Sequence, residues 1–90
     1  MIYAAARAAL ENQPDSPALH VHAAAAALRM GDSPTAERLL ERAVKLAPDD
    51  PRAWLLFAEA SVIRNRPALA RRCAQRARAL GAPSPATRGS

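Results

Sequence analysis

Aromatic residues and cysteine are scarce in this chain of 90 residues. Aromatic side chains make up only 3% of the sequence, and runs of β-branched or aromatic residues, which favour strands, are missing. A β-sheet is therefore not expected. The single cysteine, Cys73, cannot form an internal disulfide, which fits a reducing compartment. Glycine-rich phosphate loops and apolar runs with clustered carboxylates are also missing, so we expect no enzyme, no cofactor and no metal ion.

Long apolar stretches are missing as well. No uncharged apolar run approaches the length of about 18 residues that a membrane-spanning helix needs. The N-terminal segment begins apolar, but it has no basic lead-in and Arg7 interrupts it early. We therefore expect residues 1–13 to be a helix of the mature protein rather than a secretion signal, and the protein to be cytoplasmic.

Alanine and proline are what the chain has in abundance. Half of the residues are apolar, and alanine, a strong helix former that adds little to a core, supplies much of that share. Proline recurs every sixteen or seventeen residues, at Pro17, Pro34, Pro51 and Pro67. Proline is favoured at the first helical position, and serine or aspartate just before it is a typical N-cap. The caps predicted from this pattern are Ser16, Ser33 and Asp50. A helix should begin near each proline, after an earlier one from about Ile2 to Asn12.

Two successive helices make a unit of about 34 residues, which resembles the tetratricopeptide repeat. Residues 17–50 carry small, turn, large and proline positions of the family pattern, namely Ala24, Gly31, Asp32, Ala36, Leu40, Ala43 and Pro48. The next unit carries Trp54, Phe57, Ala58, Ala70, Ala77 and Leu80. This second unit departs from the pattern at its turn, where Asn65-Arg66 replaces Gly-Asp, and at Ala82, where proline is usual.

The resemblance implies an all-α fold. Antiparallel helix-turn-helix repeats, about five helices in all, would form a short right-handed α-solenoid over residues 1–81. Residues 1–13 would be the second helix of an incomplete repeat, followed by repeats at 17–50 and 51–81. Residues 82–90 read as a disordered tail.

The two histidines are not expected to bind metal. His20 and His22 are two residues apart on a predicted helix and point to different faces, so they cannot chelate one ion well. His20 occupies the position of Trp54 in the next repeat. His20 and Trp54 are therefore both predicted to be packing residues of the core.

The resemblance also implies a non-catalytic adaptor or scaffold that binds another protein or peptide in a concave groove. Carried over by position, the groove residues are Val21, His22, Ala25, Leu28, Arg29, Arg52, Leu55, Glu59, Val62 and Ile63. Their apolar strip suits an amphipathic helix or an extended apolar peptide. The alternative is that a further repeat covers part of the strip. The alanine and arginine bias suggests a bacterial source, where such repeats often serve assembly or secretion systems.

Charge is distributed unevenly along the chain. All eight acidic residues precede Arg64, whereas seven of the thirteen basic residues, all arginines, lie from Arg64 onward. The predicted basic patch consists of Arg64, Arg66, Arg71, Arg72, Arg76 and Arg78. It would attract an acidic protein, a nucleic acid or a membrane surface, unless it is simply a solvated face. We do not expect nucleic acid, because no aromatic residue interleaves the arginines to stack on bases. Uncovered solenoid ends would also permit self-association.

Overall fold

The chain folds into five consecutive α-helices. The computed structural model describes residues 2–81; Met1 and the tail predicted at residues 82–90 lie outside the described residues. The helices are α1 Ile2–Asn12, α2 Pro17–Arg29, α3 Ser33–Leu46, α4 Pro51–Ile63 and α5 Pro67–Ala79. Each helix packs against the next, and α2 also packs against α4. The all-α helical-repeat solenoid expected from the sequence is confirmed, and within residues 2–81 no helix is long and apolar enough to cross a membrane.

Proline and a capping side chain set where α2 and α4 begin. The hydroxyl of Ser16 accepts a hydrogen bond from the Leu19 N–H at 3.3 Å, and the Asp50 carboxylate accepts one from the Arg52 N–H at 3.0 Å. Each bond satisfies one of the N–H groups that the first helical turn leaves without a partner. Both predicted caps are confirmed.

The start of α3 differs from the prediction. Its cap is Asp32, whose carboxylate accepts from the Thr35 N–H at 3.3 Å, and Ser33 is already the first helical residue. The prediction that Ser33 is the cap is therefore wrong. The aspartate of the preceding Gly-Asp turn supplies an acceptor one residue earlier, and Pro34 is still within the first turn, where its missing N–H costs nothing.

The turns α2–α3 and α4–α5 share one backbone geometry despite different sequences. In the first, Gly31 has φ +80° and the Asp32 N–H donates to the Ala27 carbonyl at 2.8 Å. In the second, Asn65 has φ +60° and the Arg66 N–H donates to the Ser61 carbonyl, also at 2.8 Å. Asparagine enters this left-handed region more readily than other residues with a side chain. The departure from Gly-Asp at Asn65-Arg66 therefore leaves the turn intact.

Alanine forms most of the core between the helices. The fully buried alanines are Ala23, Ala24, Ala27, Ala36, Ala43, Ala53, Ala60 and Ala77. Such small side chains let helix axes approach closely. Leu40, the largest fully buried side chain, and the buried ring of Phe57 fill the space that remains.

The two equivalent packing residues, His20 and Trp54, differ in depth. His20 is buried, with its Nδ1 2.8 Å from the Ser16 carbonyl oxygen, as expected for a packing residue. Trp54 is only half-buried: its ring stacks on Phe57 with centroids 6.2 Å apart, and its Nε1–H donates to the Pro48 carbonyl at 2.8 Å. Trp54 thus packs against the edge of the core rather than inside it.

Candidate functional site

A crevice opens between α2 and α4, the first helices of the two predicted repeats. Its volume is about 290 Å³, and its lining comprises Ala25, Leu28, Arg29, Leu56, Glu59 and Ile63. We call it the α2–α4 crevice. Because α2 packs directly against α4, the lining residues of both helices face one continuous opening. All of them except Leu56 are among the predicted groove residues.

The α2–α4 crevice is apolar with one charge of each sign. Arg29 and Glu59 are exposed, and Leu28 and Leu56 are half-buried against the core. Ile63 is 57% exposed, so its aliphatic side chain is open to solvent at the crevice. Apolar walls with a few fixed polar groups can hold apolar side chains of a ligand and set its orientation.

One predicted groove residue is misplaced. Val21 is only 5% exposed and belongs to the core cluster that also contains Ala53, Phe57 and Ala60 of α4. Its assignment to the groove is therefore wrong. His22 and Arg52 are exposed but do not line the crevice.

Leu55 and Val62 also lie outside the crevice. They are exposed by 37% and 66% on another side of α4, and Ala58, half-buried, lies on the same side. We call Leu55, Ala58 and Val62 the end strip. The single apolar strip expected from the sequence is thus divided into two surfaces on α4, the crevice and the end strip.

Leu56 is the lining residue that sequence reasoning missed. Its equivalent in the preceding repeat is His22, which is itself a predicted groove residue, so a comparison of the two repeats would have identified Leu56. The helical spacing of Leu56, Glu59 and Ile63 places these residues on one face and would also have identified Leu56.

The six predicted patch arginines do not form one uniform surface. Arg64 and Arg66 flank the turn before α5 and pair with Glu37 of α3, at 3.7 Å and 3.2 Å from its Oε1. Glu37 is buried, and the Arg64 side chain is two-thirds buried. These two arginines therefore join α3 to the α4–α5 turn instead of forming one patch with the other four.

The remaining four arginines are exposed on α5, where they take two different positions. Arg72 and Arg76 line a second crevice of about 400 Å³, together with Glu41, Trp54, Phe57, Leu69 and Cys73. Arg71 and Arg78 do not line that crevice. Within the described part of the chain, no carboxylate forms an ion pair with any of the four.

Cys73 faces this second crevice but is almost completely buried. Burial raises the pKa of its thiol, and the charge of Glu37 raises it further, while Arg72 lowers it in part. The thiol is therefore protonated at neutral pH, and a protonated thiol is a poor nucleophile. Its burial gives Cys73 the role of a small apolar packing residue.

A third and larger crevice, of about 540 Å³, lies one repeat earlier, between α1, α2 and α3. Two of its arginines are engaged locally: Arg38 donates to the Thr35 hydroxyl at 3.4 Å, and Arg42 lies 3.6 Å from the Asp15 carboxylate. Across the described residues, no group of three His, Cys, Asp or Glu side chains could hold a metal ion.

Comparison with known proteins agrees with the repeat geometry. Residues 17–60 match the family model described as tetratricopeptide repeat. The matched segment includes α2, α3 and most of α4, and with them every lining residue of the α2–α4 crevice except Ile63. No curated protein matches the chain.

Proposed function

Because this chain belongs to the tetratricopeptide repeat family, whose repeats generally mediate protein–protein interaction, we propose that it is a non-catalytic adaptor or scaffold. Its ligand would be an apolar peptide or an amphipathic helix of another protein. The binding surface would be the α2–α4 crevice.

One observation carries this proposal: apolar side chains from two successive first helices converge on one opening, with a charge of each sign at its margin. Ala25 and Leu28 form one wall, and Leu56 and Ile63 form the other. An amphipathic helix or an extended segment could place alternate apolar side chains between these walls. Arg29 and Glu59 would then select the orientation of the ligand by its own charges.

The same proposal includes the division of the chain. Residues 1–81 would form one domain, with repeats at 17–50 and 51–81 preceded by the second helix of an incomplete repeat. From the alanine and arginine bias and the family resemblance alone, we also propose a role in a bacterial assembly or secretion system. The predicted cytoplasmic location belongs to the same proposal.

The proposal is tested by selecting peptides from a random displayed library on the immobilised chain and measuring their affinity by calorimetry. The test variant is Ile63→Asp, which places a charge in the apolar crevice. Its matched control is Val62→Asp, because Val62 is the adjacent residue, is similarly exposed and lies outside the crevice. We expect Ile63→Asp to weaken binding by about tenfold or more, the equivalent of one lost apolar contact, and Val62→Asp to leave it unchanged. Equal affinity for both variants would refute the crevice as the binding surface.

A second candidate function is an electrostatic module that binds an acidic protein, a nucleic acid or a membrane surface. The observation that favours it is the set of four exposed arginines on α5, which has no acidic residue of its own. Arg72→Glu together with Arg76→Glu would then abolish binding, and binding of the unaltered chain would be lost in about 0.2 M salt. A ligand that still binds the doubly substituted chain, and still binds the unaltered chain in half-molar salt, would exclude this candidate.

A further inference from the structure

The end strip of α4 has a covered counterpart within the same molecule. The equivalents of Leu55, Ala58 and Val62 one repeat earlier are Val21, Ala24 and Leu28. Val21 and Ala24 are 5% and 0% exposed, and Leu28 is packed against the core, because α4 lies over that side of α2. In the described part of the chain, no helix lies over the end strip in the same way. The repeat geometry therefore indicates the position that a covering helix would take.

The helix beside the end strip differs in charge from its counterpart. Arg71 and Arg78 of α5 occupy the positions of Glu37 and Val44 of α3. Glu37 binds Arg64 and Arg66, which sit in the turn that follows the covering helix α4. In the second repeat, the acid that receives two arginines has thus become an arginine, and a buried valine has become another.

We propose that the end strip, with Arg71 and Arg78, binds an amphipathic helix of a partner protein that carries acidic residues next to its apolar stripe. The partner helix would lie on α4 and α5 as α4 lies on α2 and α3. Its apolar stripe would cover Leu55, Ala58 and Val62, and its acidic groups would face the two arginines, reversing the charges of the internal contact. This surface is distinct from the α2–α4 crevice, so the inference goes beyond the proposed function.

Charge argues against two other occupants. A second copy of the chain docked symmetrically on this surface would bring Arg71 and Arg78 against the same arginines of its partner, which is repulsive. Residues 82–90 contain one arginine and no acidic residue, so they lack the groups that would face the arginines. An acidic partner helix would bring negative charge to the two arginines, which neither a symmetrically docked second copy nor residues 82–90 would do.

The probe is a pair of synthetic peptides based on the covering helix itself. The first has the sequence of residues 50–66, held helical by a side-chain link on its polar face. The second is identical except for Arg64→Glu and Arg66→Glu. By fluorescence anisotropy at low salt, we expect the full chain to bind the acidic peptide about tenfold more tightly than the arginine peptide. Equal affinities, or no binding of either peptide, would overturn the proposal.

The apolar part of the surface is tested by a neighbouring pair of substitutions. Val62→Asp in the chain should weaken binding of the acidic peptide by about tenfold or more, whereas Ile63→Asp should leave it unchanged. The opposite outcome would assign the peptide to the α2–α4 crevice and overturn the present inference. Binding of the crevice ligand is expected to be weakened by Ile63→Asp and unchanged by Val62→Asp. The same two variants therefore distinguish failure of this inference from failure of the proposed function.

The charged part is tested by two double substitutions of equal net charge. Arg71→Glu with Arg78→Glu should reverse the preference, so that the arginine peptide binds more tightly than the acidic one. Arg72→Glu with Arg76→Glu, the matched control on the same helix, should preserve the original order. If both double variants lose the acidic peptide equally, general attraction to a basic chain explains the binding and the specific surface is refuted. A dimer of the unaltered chain in analytical ultracentrifugation that Val62→Asp dissociates would also refute it, in favour of a second copy.

Discussion

The two repeats share their helix order and turn geometry but have different surroundings, and this comparison shows that burial is set by the neighbour. Val21 and Leu55 occupy equivalent positions on the first helices of their repeats and are both aliphatic. Val21 is 5% exposed because a further helix covers it, whereas Leu55 is 37% exposed. A residue type at a repeat position therefore does not state whether that residue belongs to the core or to a binding surface.

The second helices differ in the same direction. Leu40 and Glu37 of α3 are buried, whereas their equivalents on α5, Ala74 and Arg71, are smaller or basic and more exposed. At these positions α5 therefore exposes smaller or basic side chains where α3 is enclosed by its neighbours. On α4, the end strip leaves the aliphatic side chains of Leu55 and Val62 exposed.

The largest expected effect comes from placing the same charge at the two equivalent positions. Val21→Asp should lower the free energy of unfolding by about 3 kcal/mol or more, because the carboxylate would be buried without a partner. Leu55→Asp should lower it by less than about 1 kcal/mol, because the carboxylate remains in water. Urea unfolding followed by far-UV circular dichroism measures both.

This pair also tests whether the end strip is free in solution. If Leu55→Asp costs as much as Val21→Asp in dilute solution, then something covers Leu55 there, and the two repeats are equally enclosed. A cost for Leu55→Asp that grows with protein concentration would identify the cover as a second copy of the chain.

A smaller effect is expected at the ion pairs between the repeats. Glu37→Gln should lower the free energy of unfolding by about 1 to 2 kcal/mol, because it removes the charge that Arg64 and Arg66 face, and both arginines are partly solvated. The matched control is Glu41→Gln on the same helix, because Glu41 is exposed and forms no described ion pair. Urea unfolding at low and high salt should show the larger loss for Glu37→Gln, and equal losses would contradict a structural role for these pairs.

Helix positions were predictable from the sequence because their signals are local. A proline with a capping residue before it marks the start of α2 and α4 regardless of what packs against them. The single error, Ser33 in place of Asp32, arose where two adjacent residues could both cap. Even the turn at Asn65 followed the repeat, because asparagine adopts the required positive φ.

The candidate site was only partly predictable because it depends on contacts between distant residues. The repeat pattern predicts which residues of α2 and α4 face the second helix of their own repeat. It does not predict which residues of α2 are buried by α4, and so Val21 was assigned to the groove. The pairing of Glu37 with Arg64 and Arg66 joins residues from different repeats and leaves no periodic signal. That contact sets Arg64 and Arg66 apart from the four arginines of α5.

The smallest expected effect concerns Cys73, the residue of the second repeat that replaces Leu39 of the first. Burial raises the pKa of its thiol in the folded chain above the ordinary value of 9.0. The charge of Arg72 lowers this pKa in part, and the charge of Glu37 raises it. The unfolded chain therefore releases this proton at lower pH than the folded chain does. The stabilisation is complete below about pH 9.0 and declines as the pH rises through the folded pKa.

Comparison with Cys73→Ala isolates this contribution, because every other titrating group is common to both chains. The alanine variant should be less stable by an amount that is constant up to about pH 8 and then shrinks as the pH rises to 10, since only the unaltered chain has a thiol to ionise. Urea unfolding under a non-thiol reductant at each pH measures the difference. Parallel stability curves up to pH 10 would mean that the thiol is as solvated in the folded chain as in the unfolded one. Cys73 would then belong to the open crevice of Arg72 and Arg76 rather than to the core, and the second repeat would be less tightly packed than the first at this position.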